Sequence, residues 1–96
     1  MENKEYNSVM YEALLITQEE CAEVIQAISK VFRFGGDARY PNADSITNGE
    51  KVEEEIGDLL GMIDILVEKC VLSDSNINAA RKNKKNKLNI WSGIKS

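Results

Sequence analysis

Histidine is absent from this chain. Its absence removes the side chain that most readily exchanges a proton near neutral pH, and with it the Ser-His-Asp triad. It also removes the Glu-x-x-His motifs of di-iron carboxylate bundles and the usual zinc ligand. There are two cysteines, Cys21 and Cys70, which are too few for a structural zinc site. Each falls among apolar helical positions, so both are expected as reduced core residues rather than disulfide or metal partners. Proline occurs once, and no apolar run approaches the length of a membrane span. The opening residues Met1-Glu2-Asn3-Lys4-Glu5-Tyr6-Asn7 lack the basic-then-apolar order of a signal peptide. These absences point to a cytoplasmic protein with no membrane partner.

What remains is ordinary in bulk and uneven in arrangement. The 96 residues are 43% hydrophobic and 29% charged, a size and composition that suit one domain spanning residues 1–96. Net charge is −4. Acids dominate residues 12–68, whereas Arg81-Lys82-Asn83-Lys84-Lys85-Asn86-Lys87 carries only positive charge. An acidic body with a basic end argues against a general nucleic-acid binder. It suits a site that holds a metal ion and needs separate cations for phosphate.

Periodicity predicts an all-α fold of three to four helices. Residues 5–33 read as one long helix, with Met10, Leu14, Cys21, Ile25, Ile28 and Phe32 on one stripe. Leu15, Ile16, Ala22 and Ala27 add apolar groups on other sides, so more than one neighbour is expected to cover this helix. Gly35-Gly36 stops it. A loop through Tyr40 and Pro41 follows, long enough to be functional. Thr47-Asn48-Gly49-Glu50 matches a capping box and starts a second helix near residue 48. Its stripe runs from Val52 to Cys70, and its end is expected near Val71. Gly57 and Gly61 lie on the far side, where the cost of helical glycine points to close approach by another helix. Ser73 caps a third helix over roughly 75–90, with few apolar positions. So much apolar surface with so little to cover it predicts pairing between subunits, as a homodimer or homotetramer.

The chemistry concentrates in two stretches. Gln18-Glu19-Glu20-Cys21-Ala22-Glu23 places Glu20 and Glu23 three residues apart, and Glu53-Glu54-Glu55-Ile56-Gly57-Asp58 does the same for Glu55 and Asp58. Residues at i and i+3 share a helix face. On two antiparallel helices these four carboxylates can converge, and like charges at close range need a cation between them. Oxygen-only ligands favour a hard ion such as Mg2+, with Mn2+ able to substitute.

These strings resemble the paired signature Glu-Glu-x-x-Glu and Glu-x-x-Asp of MazG-like nucleoside triphosphate pyrophosphohydrolases, in the all-α NTP pyrophosphatase superfamily. The resemblance spans roughly residues 10–90, and the chain length is similar to that of minimal, stand-alone members carried by some phages. It implies that Glu20, Glu23, Glu55 and Asp58 ligate Mg2+. Glu19 or Glu23 would orient the attacking water. The implied reaction converts a nucleoside or deoxynucleoside triphosphate to the monophosphate and pyrophosphate, controlling or cleaning the nucleotide pool. Asn83, Lys84, Asn86 and Lys87 are the candidates for holding the outer phosphates. Phe32, Phe34, Tyr40 and Trp91 are available to the base. The connection between the two motifs is long and includes the Gly35–Gly49 loop, a departure that bears on which base is taken. The competing expectation is a non-enzymatic acidic helical oligomerisation module that binds cations incidentally.

Overall fold

The computed structural model describes residues 5–39 and 46–95. They form three helices: α1 (Ser8–Phe34), α2 (Asn48–Glu68) and α3 (Asp74–Trp91). Among the described residues there is no strand beyond one isolated bridge, Arg39 with Thr47. The fold is all-α. No described helix is long and apolar enough to cross a membrane. Tyr40 and Pro41 lie outside the described residues.

Local chemistry sets each boundary. Asn7 caps α1 by accepting from the Met10 N–H at 2.9 Å, so the helix begins three residues later than its apolar pattern suggested. Gly35 ends it at φ +91°, a conformation that L side chains rarely adopt. The capping box of α2 is complete: Thr47 Oγ1 accepts from the Glu50 N–H, and Glu50 Oε1 accepts from the Thr47 N–H. The Asn48 and Gly49 N–H groups donate to the Ala38 and Gly36 carbonyls at 2.8 and 2.9 Å. The Lys51 N–H donates to the Thr47 carbonyl. All four otherwise unpaired donors of this helix start are therefore satisfied. Gly49 permits this close approach, since a Cβ would stand 3.3 Å from the Gly36 carbonyl oxygen, closer than ordinary van der Waals contact.

α2 ends at Glu68, not near Val71. Cys70 takes φ +60°, its N–H donates to the Val67 carbonyl, and the Val71 N–H donates to the Leu66 carbonyl. That is a Schellman stop, with a cysteine where glycine is usual. Cys70 is exposed in consequence, and so is Cys21; neither is a core residue.

α1 and α2 pack antiparallel. At one end Ala13, Leu66 and Val71 form a buried cluster edged by Tyr6, Met10, Leu14, Met62 and Leu72. At the other, Asn48 Nδ2 donates to the Gly35 carbonyl at 3.2 Å. The expected stripe of α1 is only partly used. Met10 and Leu14 join the cluster, but Ile25 is 66% and Phe32 85% exposed. A two-helix pair buries one line per helix, and the line chosen runs through the small residues Ala13 and Ala27. α3 buries none of its side chains and packs little against the pair. The molecule measures 45 × 37 × 16 Å with a radius of gyration of 16.4 Å. A compact chain of this length would have about 12.5 Å.

Candidate metal centre

The two buried lines carry an acid at their middles. Ala13, Glu20 and Ala27 are spaced by seven residues, close to two helical turns, and so lie along one line of α1. Ala13 and Ala27 are buried and Glu20 is half-buried. On α2 the spacing repeats with Asn48, Glu55 and Met62. Asn48 and Glu55 are buried, at 1% and 5% exposure. Antiparallel packing of the two lines brings Glu20 opposite Glu55, and Asp58 joins them from the next turn of α2.

Carboxylate oxygens of Glu20, Glu55 and Asp58 all lie within 4.8 Å of one another. Two oxygens opposite each other on one hard divalent ion stand roughly 4–5 Å apart. The donor set is all oxygen and the spacing is within reach of one ion, so the residues fit a cation of the Mg2+ class. Three of the four acids expected to converge do so. Glu23 is exposed and outside the group of three, although its charge is felt at Glu20. Glu19 is also exposed and acts on Glu20 in the same way.

The electrostatics register this crowding. The Glu20 carboxyl is raised above its ordinary 4.5, by partial desolvation first and then by the charges of Asp58, Glu55, Glu23 and Glu19. One cation already stands at the cluster edge, and the sequence reading passed over it. Lys51 Nζ lies 3.1 Å from Glu55 Oε1 and 3.2 Å from Glu54 Oε1. These bonds, to Glu55 and then Glu54, raise the pKa of the ammonium group. The signal was present in the sequence as a lysine four residues before Glu55. One ammonium against three carboxylates leaves the cluster negative.

The phosphate candidates are elsewhere. Asn83, Lys84, Asn86 and Lys87 are exposed on α3, and none of them bonds to the acid cluster. Trp91 closes α3 at 81% exposure. Phe34 is half exposed, with the Arg33 guanidinium 4.8 Å from its ring centre. α3 instead forms a groove with the end of α2, lined by Asp64, Glu68, Asp74 and Arg81 around Ile63, Val67 and Ile77. No protein family, curated protein or solved structure matches the chain.

Proposed function

We propose that this chain is a Mg2+-dependent nucleoside triphosphate pyrophosphohydrolase that works as an oligomer. One observation carries the reading: Glu20, Glu55 and Asp58 bring their carboxylates within 4.8 Å of one another in a helix seam. Seams of this kind are normally apolar, and uncompensated acids there are unfavourable. They are three of the four residues that the MazG-like resemblance implies as ligands, Glu23 being the fourth.

Glu20, Glu55 and Asp58 would hold the ion, which when bound neutralises the triphosphate and lowers the pKa of a water. Glu19 and Glu23, exposed beside Glu20 on α1, would orient that water. Water opens the α–β phosphoanhydride bond, giving the monophosphate and pyrophosphate. Lys84 and Lys87, with Asn83 and Asn86, would take the outer phosphates through charge-assisted bonds. In one chain these groups stand apart from the acids, so the reading needs α3 of a second copy, or a shift of its own α3, to bring them in. The exposed Tyr11, Leu15, Ile25, Phe32, Ile90, Trp91 and Ile94 supply apolar surface for subunit pairing. Phe34 and Trp91 are the aromatic groups offered to the base.

The unpacked α3 favours a second reading, an oligomerisation module whose acids bind cations incidentally. Measuring pyrophosphate release from a panel of deoxynucleoside triphosphates, with Mg2+ and with chelator, separates the two. Metal-dependent release that Asp58→Asn abolishes supports the enzyme. No release from any triphosphate leaves the module.

A further inference from the structure

Glu55 is the most enclosed acid of the cluster, its side chain 7% exposed, and it is the one that Lys51 holds. Lys51 is itself largely covered, its side chain 22% exposed, whereas the second partner Glu54 is 54% exposed. The ammonium group therefore bridges an inner and an outer carboxylate on one helix face. Residues 51, 54 and 55 stand at i, i+3 and i+4, so one lysine reaches both without moving its backbone. A divalent ion entering between Glu20, Glu55 and Asp58 meets Glu55 already engaged. Two cations held on one enclosed carboxylate repel each other.

We propose that Lys51 is a built-in counter-cation that surrenders Glu55 to the divalent ion and remains on Glu54. The inference rests on the metal-site reading and deepens it. In the metal-free protein Lys51 offsets charge that burial would otherwise make unfavourable at Glu55. On metal entry the ammonium charge repels the ion across the Glu55 carboxylate, so Lys51 lowers the intrinsic affinity of the site until that contact gives way. Glu54 keeps the freed ammonium group from being stranded. Binding then exchanges one cation for another, instead of filling a bare anionic hole.

The test is Mn2+ binding, followed by electron paramagnetic resonance of free Mn2+, together with thermal melts in chelator. Wild type is compared with Lys51→Met, Lys51→Arg and Lys69→Met. Lys69 lies at the far end of α2, roughly 20 Å along the helix from Glu55, beyond the screening length at physiological salt. Lys51→Met is expected to tighten Mn2+ about tenfold, the scale of one charge-assisted bond. It should also lower the melting temperature in chelator. Lys51→Arg should keep wild-type affinity, and Lys69→Met should change it less than about twofold. Should Lys51→Met not fold in chelator, Lys51→Gln takes its place, since its amide can still donate to Glu55. Unchanged or weaker Mn2+ binding in the uncharged Lys51 variant overturns the proposal while leaving the metal site standing. Equal tightening in Lys69→Met also overturns it, because the effect would then be one of net charge. Failure of wild type to bind Mn2+ removes the metal site itself, and this proposal with it.

Discussion

Glu20 on α1 and Glu55 on α2 face each other across the helix seam, with carboxylate oxygens no more than 4.8 Å apart. Each is the midpoint of a seven-residue spacing whose other members are Ala13 and Ala27, or Asn48 and Met62. The acids therefore occupy positions that the repeat of the helix pair reserves for core. Charge and packing compete for the same line, and the raised Glu20 pKa reflects the crowding of carboxylates there.

That crowding has a pH signature. The folded-state pKa of Glu20 is raised, through partial desolvation and then the neighbouring charges. A raised acid stabilises the fold only while protonated, and that contribution is lost as pH rises through the folded pKa. In chelator, the melting temperature should rise as pH falls from neutrality towards 4.5, the ordinary value of this carboxyl. Below it the trend should reverse. Glu50, whose pKa is lowered chiefly by the Thr47 backbone and side-chain hydrogen bonds, loses its capping role there. Saturating Mg2+ should invert the upper branch, since protons then compete with the ion. A metal-free melting curve that falls steadily from pH 7 would contradict this account of the cluster.

The stop of α2 gives a second test. Cys70 sits at φ +60° in the position where a Schellman motif favours glycine. Left-handed backbone costs an L residue about 1–2 kcal/mol, and glycine recovers most of this less its own chain entropy. Cys70→Gly should stabilise by about 1 kcal/mol, raising the melting temperature by roughly 4–8 °C. Cys70→Ala keeps the strain and should gain nothing. Equal melting temperatures for the two variants would show that the backbone there is unstrained.

How much of this was legible beforehand follows from which signals are local. The capping box at Thr47, the stop at Gly35 and the Ser73 cap depend on a few adjacent residues, and each appears in the structure. The Glu55–Asp58 pair was legible for the same reason, since i, i+3 spacing fixes a shared face. The burial line of α1 was not. Periodicity identified the bulkiest stripe, through Ile25 and Phe32, but the partner helix chose the smallest one, through Ala13 and Ala27. Small residues admit a close neighbour, and hydrophobicity does not report that. Cys70 was misplaced because its stripe continued past the Schellman stop, which no glycine announced. Lys51 was passed over because salt-bridged lysines on helices are common, and only the burial of Glu55 singles this one out.

Gly57 and Gly61 test the subunit reading. A Cβ added to either meets nothing within 4 Å, so the close helix approach expected there does not come from the described residues of one chain. In a monomer, Gly61→Ala should stabilise by about 1 kcal/mol through helix propensity alone. Against a second copy packed on that face, the added methyl should push the subunits apart. The expected outcome is wild type sedimenting as two or more chains at micromolar concentration, with Gly61→Ala dissociating more readily. A monomeric wild type, made more stable by the alanine, would show that this face is only solvated.

Asp58 separates a site from a structural salt bridge most cleanly. It is exposed, and its carboxylate lies in the group with Glu20 and Glu55. Among the neighbouring charges, that of Asp58 does most to raise the Glu20 pKa, after partial desolvation. Asp58→Asn keeps the shape, removes one negative charge and weakens one ligand. If the cluster exists to hold an ion, the variant should lose pyrophosphate release. It should also show a smaller Mg2+-dependent rise in melting temperature, and be as stable as wild type or more so in chelator. Binding confined to the folded state stabilises by about 2.7 kcal/mol at a hundredfold excess over the dissociation constant. The wild-type shift should therefore be large, and its loss easy to see. A structural role predicts the opposite pairing, with lower stability in chelator and an intact Mg2+ response. Melts of both proteins with Mg2+ and with chelator, beside the release assay, distinguish the two. A destabilised Asp58→Asn that still hydrolyses triphosphates would move the chemistry away from this seam.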